Sequence, residues 1–530
     1  MKLGALIATL IATALTTSAN ATGTPIVQTV SGNISGIVSD RGSAFLGVPY
    51  ARPPVGNLRW RAPEPVSKWD GTLEAKVLPP ACPQKFGADQ RLNLKQSEDC
   101  LYINIYLPKS AVAGQKLPVA VWLHGGGNTA GSGSNHDGGR MAELNDIVVV
   151  TVNHRLGALG FLNHPAFRSE TKDGLSGNYG IEDTKAALSW VKTNIASFGG
   201  DPAKVTVFGE SSGASNICAM AVPSSGADGL YRAQIIESDD CFHDIETAAG
   251  SEDKAVKWAE TMGCGSSTDI ASCLREKPVE DFIAAGGRWF PHVDTNGLLK
   301  TFGIDAIAAG DFIKIPTLIG SNRDEGRNAP SSYFKFAEAD YLKWIDQIAG
   351  PENAKHILER YPANLYAGKP YPIAEVVTNV ITDSGMRGLG GCTVIDAASK
   401  LSGHVPTYFY QFDDPKAPTV NPIDGWDFGA AHGFEVPYLF PRNDGVDEPS
   451  AKFDAGQRQL SDDMIRYWGA FVREGKPAAK GLPVWSSFDA NGDVMVLRPA
   501  GKSGVVPSSE VKKAHNCDLW TSMPWITDRG

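Results

Sequence analysis

Val205-Thr206-Val207-Phe208-Gly209-Glu210-Ser211-Ser212-Gly213-Ala214-Ser215-Asn216 decides how the rest of this chain is read. A short apolar run leads into G-x-S-x-G, and small residues follow. Glycines two places either side of a serine, set between a strand and a helix, mark a nucleophile elbow, a sharp turn that lifts one hydroxyl clear of a sheet. Ser211 holds the central place, whereas Ser212 would need glycine at Glu210 and at Ala214. Ser211 is therefore the expected nucleophile.

Working outward, further solid apolar runs appear at Val119 to Leu123, Ile147 to Val152, Arg232 to Ser238, Ile315 to Gly320 and Thr407 to Phe412. Runs of this kind belong to strands buried on both faces. Between two of them, Thr184 to Phe198 carries Ala187, Leu188, Val191 and Ile195 at helical spacing and stops at Gly199-Gly200-Asp201-Pro202. Strands alternating with helices predict an α/β fold, a large mostly parallel sheet flanked by helices. Ile26 to Val30 and Ile34 to Val38 alternate around Ser31-Gly32-Asn33 and predict a small N-terminal hairpin. Glu98 to Tyr106 reads as a strand opening on a carboxylate pair. No Ser/Gly-rich, Pro-rich or single-charge linker interrupts the chain, so residues 22–530 are expected to form a single domain.

The chain carries 49 basic and 59 acidic residues, a formal charge of -10. That balance repels polyphosphate and supplies no basic stripe, which excludes nucleic acid as a partner. Residues 1 to 21 run from Lys2 through the apolar stretch Leu3 to Leu15 to Ala19-Asn20-Ala21, the pattern of a secretory signal cleaved before Thr22. The apolar run is too short to span a bilayer. A secreted or periplasmic location gives the 8 cysteines a role as disulfides. Cys82 with Cys100 and Cys264 with Cys273 are the natural local pairs.

A serine hydroxyl needs a base to take its proton and an acid to orient that base, and in this architecture they follow in the order Ser, Asp or Glu, His. Of 10 histidines, His356, His404, His432 and His515 leave room for an acid after Ser211. His356 sits in a helical surface pattern, His404 precedes a strand, and His515 lies in a charged tail. His432, in the small-residue loop Gly429 to Glu435, is the expected base. In Asn322-Arg323-Asp324-Glu325-Gly326, which follows a strand, Glu325 is chosen over Asp324 as the acid. His124-Gly125-Gly126-Gly127 ends another strand, and Gly126 and Gly127 with the N–H of Ser212 are the expected oxyanion hole. Nothing resembles a metal-ligand cluster such as H-E-x-x-H, so neither metal nor cofactor is expected.

These stretches resemble the type-B carboxylesterase family, the cholinesterase-like branch of the α/β-hydrolases. The likeness runs through Phe45 to Trp60, Glu98 to Tyr106, His124 to Gly127, Asn153 to Leu156, Gly177 to Gly180, Phe198 to Pro202, Gly209 to Gly213, Asn322 to Gly326 and His432 to Glu435, and continues in Tyr467-Trp468 and Pro483-Val484-Trp485. It implies the fold, a serine esterase working through an acyl-enzyme on small-molecule esters, and Ser211, Glu325 and His432 in the roles above. It also implies a Cys392–Cys517 disulfide, leaving Cys218 and Cys241 as the last pair. A non-catalytic adhesion protein of the same branch is the alternative, disfavoured because all three reacting groups are present.

Two departures flank the expected site. Asn128 stands where the family usually has an aromatic residue after the glycines, and Glu237-Ser238-Asp239-Asp240-Cys241 replaces the usual serine-glycine after the next strand. The loop from Cys82 to Cys100 holds Phe86 and no tryptophan, which disfavours choline esters, and its polar residues disfavour an interfacial lipase. Arg288, Trp289, Phe290 and His292 resemble the family's acyl-pocket lining, and Arg327 follows the acid closely. Together they point to a polar or carboxylate-bearing ester, a tricarballylate ester among them; the alternative is that these cations pair with Asp239, Asp240 or Asp294.

Overall fold

The computed structural model describes residues 24–523, except 86–91, 172–173, 243–244, 329, 443–447 and 489–491, with the backbone alone at 387. The expected signal segment therefore lies outside the described residues, as do Phe86, Asp89, Gln90 and Arg91 of the first disulfide loop. An 11-stranded sheet carries the described chain. Its strands in chain order are β1 (Ile37–Ser39), β2 (Gly42–Pro49), β3 (Tyr102–Pro108), β4 (Leu117–Leu123), β5 (Val148–Val152), β6 (Gly200–Glu210), β7 (Ala233–Glu237), β8 (Thr317–Asn322), β9 (Thr407–Phe412), β10 (Asp493–Leu497) and β11 (Gly504–Pro507). Across the sheet they lie in the order 11-10-9-8-7-6-4-5-3-2-1. Strands β5, β4, β6, β7, β8, β9 and β10 pair parallel, and antiparallel strands close both margins.

Alternate side chains explain why the central runs read as solidly apolar. Val119, Val121 and Leu123 face a core with Ile217 and Leu401, while Ala120 and Trp122 face another with Met464 and Trp468. Both faces are thus dry, as a parallel sheet requires. The covering helices are α1 (Tyr179–Asn194), α2 (Ser212–Ala221), α3 (Pro372–Ser384), α4 (Gly391–Ser402) and α5 (Ala455–Glu474). α3 adds a third cluster of Val376, Val377, Val380 and Ile381 with Tyr341, Trp426 and Trp520. Among the described residues no helix is long and apolar enough to cross a membrane.

Two expected strands are shorter than their patterns. Ile26 to Val30 and Ile34 to Val38 do form an antiparallel pair, Ile26–Gln28 against Asn33–Ser35, but Gly36 ends it and Ile37–Ser39 leaves to join the main sheet. At Gly36 a Cβ would lie 2.4 Å from the Ala44 carbonyl, so the crossing needs glycine. Glu98 and Asp99 stay outside β3: Glu98 receives two hydrogen bonds from buried Arg59, and Asp99 accepts one from the Tyr102 hydroxyl. The four disulfides are Cys82–Cys100, Cys218–Cys241, Cys264–Cys273 and Cys392–Cys517.

Strand register sets the working edge. Leu123 pairs with Gly209, Glu237 with both Glu210 and Gly320, and Asn322 with Phe412. The carboxyl ends of β4, β6, β7, β8 and β9 therefore align, and the loops beyond them meet in one place.

Candidate active site

The turn between β6 and α2 is made by Ser211 itself. Its backbone sits at φ 54, ψ -127, and its N–H donates to the Glu237 carbonyl at 2.9 Å. Holding a serine there costs on the order of 1–3 kcal/mol, a strain found mostly at functional sites. The flanking glycines serve a different need, because a Cβ at Gly209 or Gly213 would lie 2.7 or 2.2 Å from the Leu123 carbonyl of β4. They are glycine so that the elbow can seat against the neighbouring strand. Ser212 is 1% exposed and its hydroxyl is enclosed without a partner among the described residues.

His432 is held by carboxylates at both ring nitrogens. Nδ1 lies 2.6 Å from Glu325 Oε2, and Nε2 lies 3.1 Å from Glu210 Oε1, one residue before Ser211. Glu325 is fully buried, and its other oxygen accepts the Asn322 N–H at 2.7 Å, which fixes its plane. Burial works to lower the His432 pKa, but the charges of Glu210 and Glu325 outweigh it and the ring is pushed up to about 10.

Two more acids close in behind. Glu435 accepts hydrogen bonds from Asn322 Nδ2 and Ser238 Oγ, and Glu237 accepts one from Trp468 Nε1 at 2.7 Å. Desolvation, with Glu210 and Glu325 nearby, pushes Glu435 up to about 8. Desolvation and then Glu435 push Glu237 well above the carboxylate range, and desolvation also raises Glu210. Glu210, Glu325 and Glu435 thus all act on one imidazole, and burial favours the protonated forms of Glu210, Glu237 and Glu435.

Glu210, Glu237 and Glu435 escaped the sequence reading. The signal was present, an acid ending each of two adjacent strands and one three residues past His432, but only the fold brings them together. His515 is a correction. Expected in a charged tail, its ring is instead 3% exposed, with Nδ1 2.7 Å from Asp383 and Nε2 2.8 Å from the Gln411 amide. It makes a second His–carboxylate pair, but Gln411 occupies the nitrogen a base would use.

The glycine run sits directly on the elbow. A Cβ at Gly125 would meet Ser211 Cβ at 3.1 Å and Glu210 Oε2 at 2.2 Å. Gly126 and Gly127 take φ 115 and 62. Among the described residues, the N–H groups of Gly126, Gly127 and Ser212 donate to no protein acceptor. Further along, Gln84 of the first disulfide loop exchanges two hydrogen bonds with Gly131, at 2.8 and 2.9 Å.

The remaining expected site residues separate. Arg288 and Trp289 line a cavity of about 420 Å³ with Lys85, Thr129 and Ala130. The Arg288 guanidinium lies over the Phe290 ring at 4.9 Å. His292 is turned inward, its ring against Gly177, its backbone exchanging hydrogen bonds with Asn178, and burial lowers its pKa to about 4. Arg327 is taken up by an ion pair with Glu375, by the Asp427 carbonyl and by the Trp426 face at 4.4 Å. Asn128 is 1% exposed and bonds to Asn216 of α2.

A sheet of this order with a serine elbow at its carboxyl edge is the α/β-hydrolase fold, and the protein is a carboxylic ester hydrolase. The chain belongs to the carboxylesterase family, whose sequence profile matches residues 23–520. It is 33% identical to fumonisin B1 esterase of Sphingopyxis macrogoltabida over 514 residues, covering 93% of this chain and 90% of that protein. Against para-nitrobenzyl esterase of Bacillus subtilis (strain 168) it is 32% identical over 489 residues, covering 87% and 92%. A solved thermophilic pNB esterase superposes with a TM-score of 0.77 at 29% identity, covering 93% of this chain and 100% of that one.

Proposed function

We propose that the protein hydrolyses esters through a Ser211 acyl-enzyme. Ser211 Oγ attacks the ester carbonyl carbon as His432 Nε2 takes its proton, and the resulting oxyanion is held by the N–H groups of Gly126, Gly127 and Ser212. The carbon–oxygen bond to the alcohol breaks, and His432 returns the proton to the departing oxygen. Water then attacks the acyl group by the same route and frees Ser211. Glu325 holds the ring and balances its charge. The observation that carries this reading is His432, its Nδ1 2.6 Å from buried Glu325 and its Nε2 turned to the residue that precedes the strained Ser211. Hydrolysis of p-nitrophenyl butyrate by Ser211→Ala at the wild-type rate refutes it.

The preferred ester carries a polar or carboxylate group. Support comes from Arg288 and Lys85 on the wall of the cavity beside the glycine loop and from the likeness to a fumonisin B1 esterase. Arg327 is not among the residues lining this cavity and is paired with Glu375. A panel pairing neutral esters with tricarballylate esters, run on wild type and Arg288→Ala, is expected to show a preference for the charged esters that weakens in the variant. An unchanged ratio refutes it. Residues 22–530 act as one exported domain, supported by the signal-like residues 1–21 and by the four disulfides. N-terminal sequencing of the secreted protein is expected to begin at Thr22.

A further inference from the structure

Asn128 follows the two glycines offered as oxyanion donors, and it too is left-handed, at φ 53. Three consecutive residues in this region make a loop with little intrinsic preference for one shape, although asparagine tolerates the conformation better than most side chains do. Something must therefore hold it. The Thr129 and Ala130 N–H groups both donate to the Gly126 carbonyl at 3.1 Å, and the Asn128 side chain ties the loop to the helix by pairing with Asn216, five residues past Ser211 on α2. Asn216 Nδ2 donates to Asn128 Oδ1 at 3.0 Å, and Asn128 Nδ2 donates back to Asn216 Oδ1 at 3.3 Å. Both residues are essentially inaccessible, at 1% and 0% exposure. Behind them His154 Nε2 lies 3.5 Å from Asn216 Nδ2, and the His154 ring stacks on His124 at 4.7 Å, where the glycine run begins. The Asn128 carbonyl receives the Gly157 N–H at 2.7 Å, which fixes the backbone beyond the turn.

We infer that Asn128 and Asn216 form an amide clamp that sets the Gly126 and Gly127 donors relative to Ser211, making both asparagines positioning residues for ester hydrolysis. This rests on the Ser211 and oxyanion-hole assignments above. An oxyanion hole acts only when its donors stand at hydrogen-bond distance from an oxygen that appears during the reaction, so tying the donor loop to the helix that carries the nucleophile preserves the one distance that matters. Because both amides are buried, the clamp acts through the donors it sets, and its loss is expected in kcat and not in KM.

The test uses Asn128→Gly, which keeps the left-handed backbone accessible while removing the amide, Asn216→Ser, and the double variant, with Ser211→Ala alongside. Rates on p-nitrophenyl butyrate, inhibition by an alkyl boronic acid that forms a tetrahedral serine adduct, and melting temperatures are measured together. Each single variant is expected to lose roughly 10- to 100-fold in kcat with KM within about threefold. Boronate affinity should fall in step, and the double variant should lose no more than about threefold beyond the worse single one, since the pair acts as a unit. A merely structural role would lower the melting temperature and leave kcat alone. If Ser211→Ala is inactive and the single variants keep wild-type kcat, or their losses multiply in the double variant, the clamp is refuted and the serine mechanism stands. If Ser211→Ala retains activity, both fall. Should Asn216→Ser fail to fold, the kcat and KM split in Asn128→Gly decides alone.

Discussion

Replacing Glu210 by glutamine probes the electrostatics of the site most directly. Its carboxylate lies 3.1 Å from His432 Nε2, the ring nitrogen proposed above to accept the serine proton. Two unit charges about 4 Å apart interact by about 4 kcal/mol at an effective dielectric constant near 20. At 1.36 kcal/mol per unit that corresponds to about 3 pH units on His432. The full value is not expected, because burial raises the pKa of Glu210 and so reduces the charge it carries. A fall of roughly 1 to 3 units in the His432 pKa is the worked expectation. The sign follows from the proton count. The ring works as a base only when neutral, Glu210 favours its charged form, and removing that charge lets it lose its proton at lower pH. The assay is kcat/KM against pH from about 5 to 10.5 with a neutral short-chain ester, which reports the free enzyme. Wild type should have its acid limb well to the alkaline side of a free imidazole, and Glu210→Gln should move that limb toward acid. An unmoved limb, or one displaced upward, refutes the reasoning.

Stability and activity should favour opposite ends of the pH scale. Glu435, Glu237 and Glu210 keep protons in the fold that an unfolded carboxylate would have lost by about pH 5, so stability falls as pH climbs through about 8. His432, raised to about 10, adds stability that is complete below about pH 6.5 and gone above its folded pKa. His124 and His292, lowered by burial to about 4, and His154, held by burial well below the usual imidazole range, instead withdraw stability as pH drops below about 6.5. Melting temperature should thus peak below neutrality, and a value that rises from pH 7 to 9 contradicts this. Asp183→Ala strands Arg155, 4% exposed and bonded to Asp183 through Nε and Nη2 at 2.7 Å, and should cost about 3 to 5 kcal/mol in denaturant unfolding. Gly213→Ala places a methyl 2.2 Å from the Leu123 carbonyl and should abolish esterase activity in whatever protein folds.

The positions of Ser211, Glu325 and His432 could be read in the chain because each sits in a short segment whose local pattern places it beyond a strand end. What could not be read depends on register or on partners far away. Glu237 meets Glu210 only because β7 pairs with β6 in one register, and a shift by one residue would point it at the other face. Lys512 and Lys513 make the segment before His515 look like a solvated tail. Its burial comes from Asp383 and Gln411, more than 100 positions earlier, and from the Cys392–Cys517 bond. Arg327 beside the acid looked like a specificity determinant until Glu375, on α3, was brought against it. The motif glycines were legible as an elbow but for an incomplete reason, since Ser211 bears the unusual torsion and the glycines supply clearance.

Helix α3 has one consequence for handling the protein. At its end Thr382 Oγ1 accepts the Gly326 N–H at 2.9 Å, next to Glu325, while the adjacent Asp383 holds His515. Tyr361 bonds to Asp383 through its hydroxyl and receives the Trp520 indole N–H at 3.0 Å. The last turns of the described chain are thus moored to the stem of the acid-bearing loop. Clipping by a protease just before residue 515 combined with reduction of the Cys392–Cys517 bond, or a terminal fusion that pulls Trp520 from its seat, would unfasten the backbone beneath Glu325 while leaving the central sheet intact. An affinity tag is better joined beyond a generous spacer.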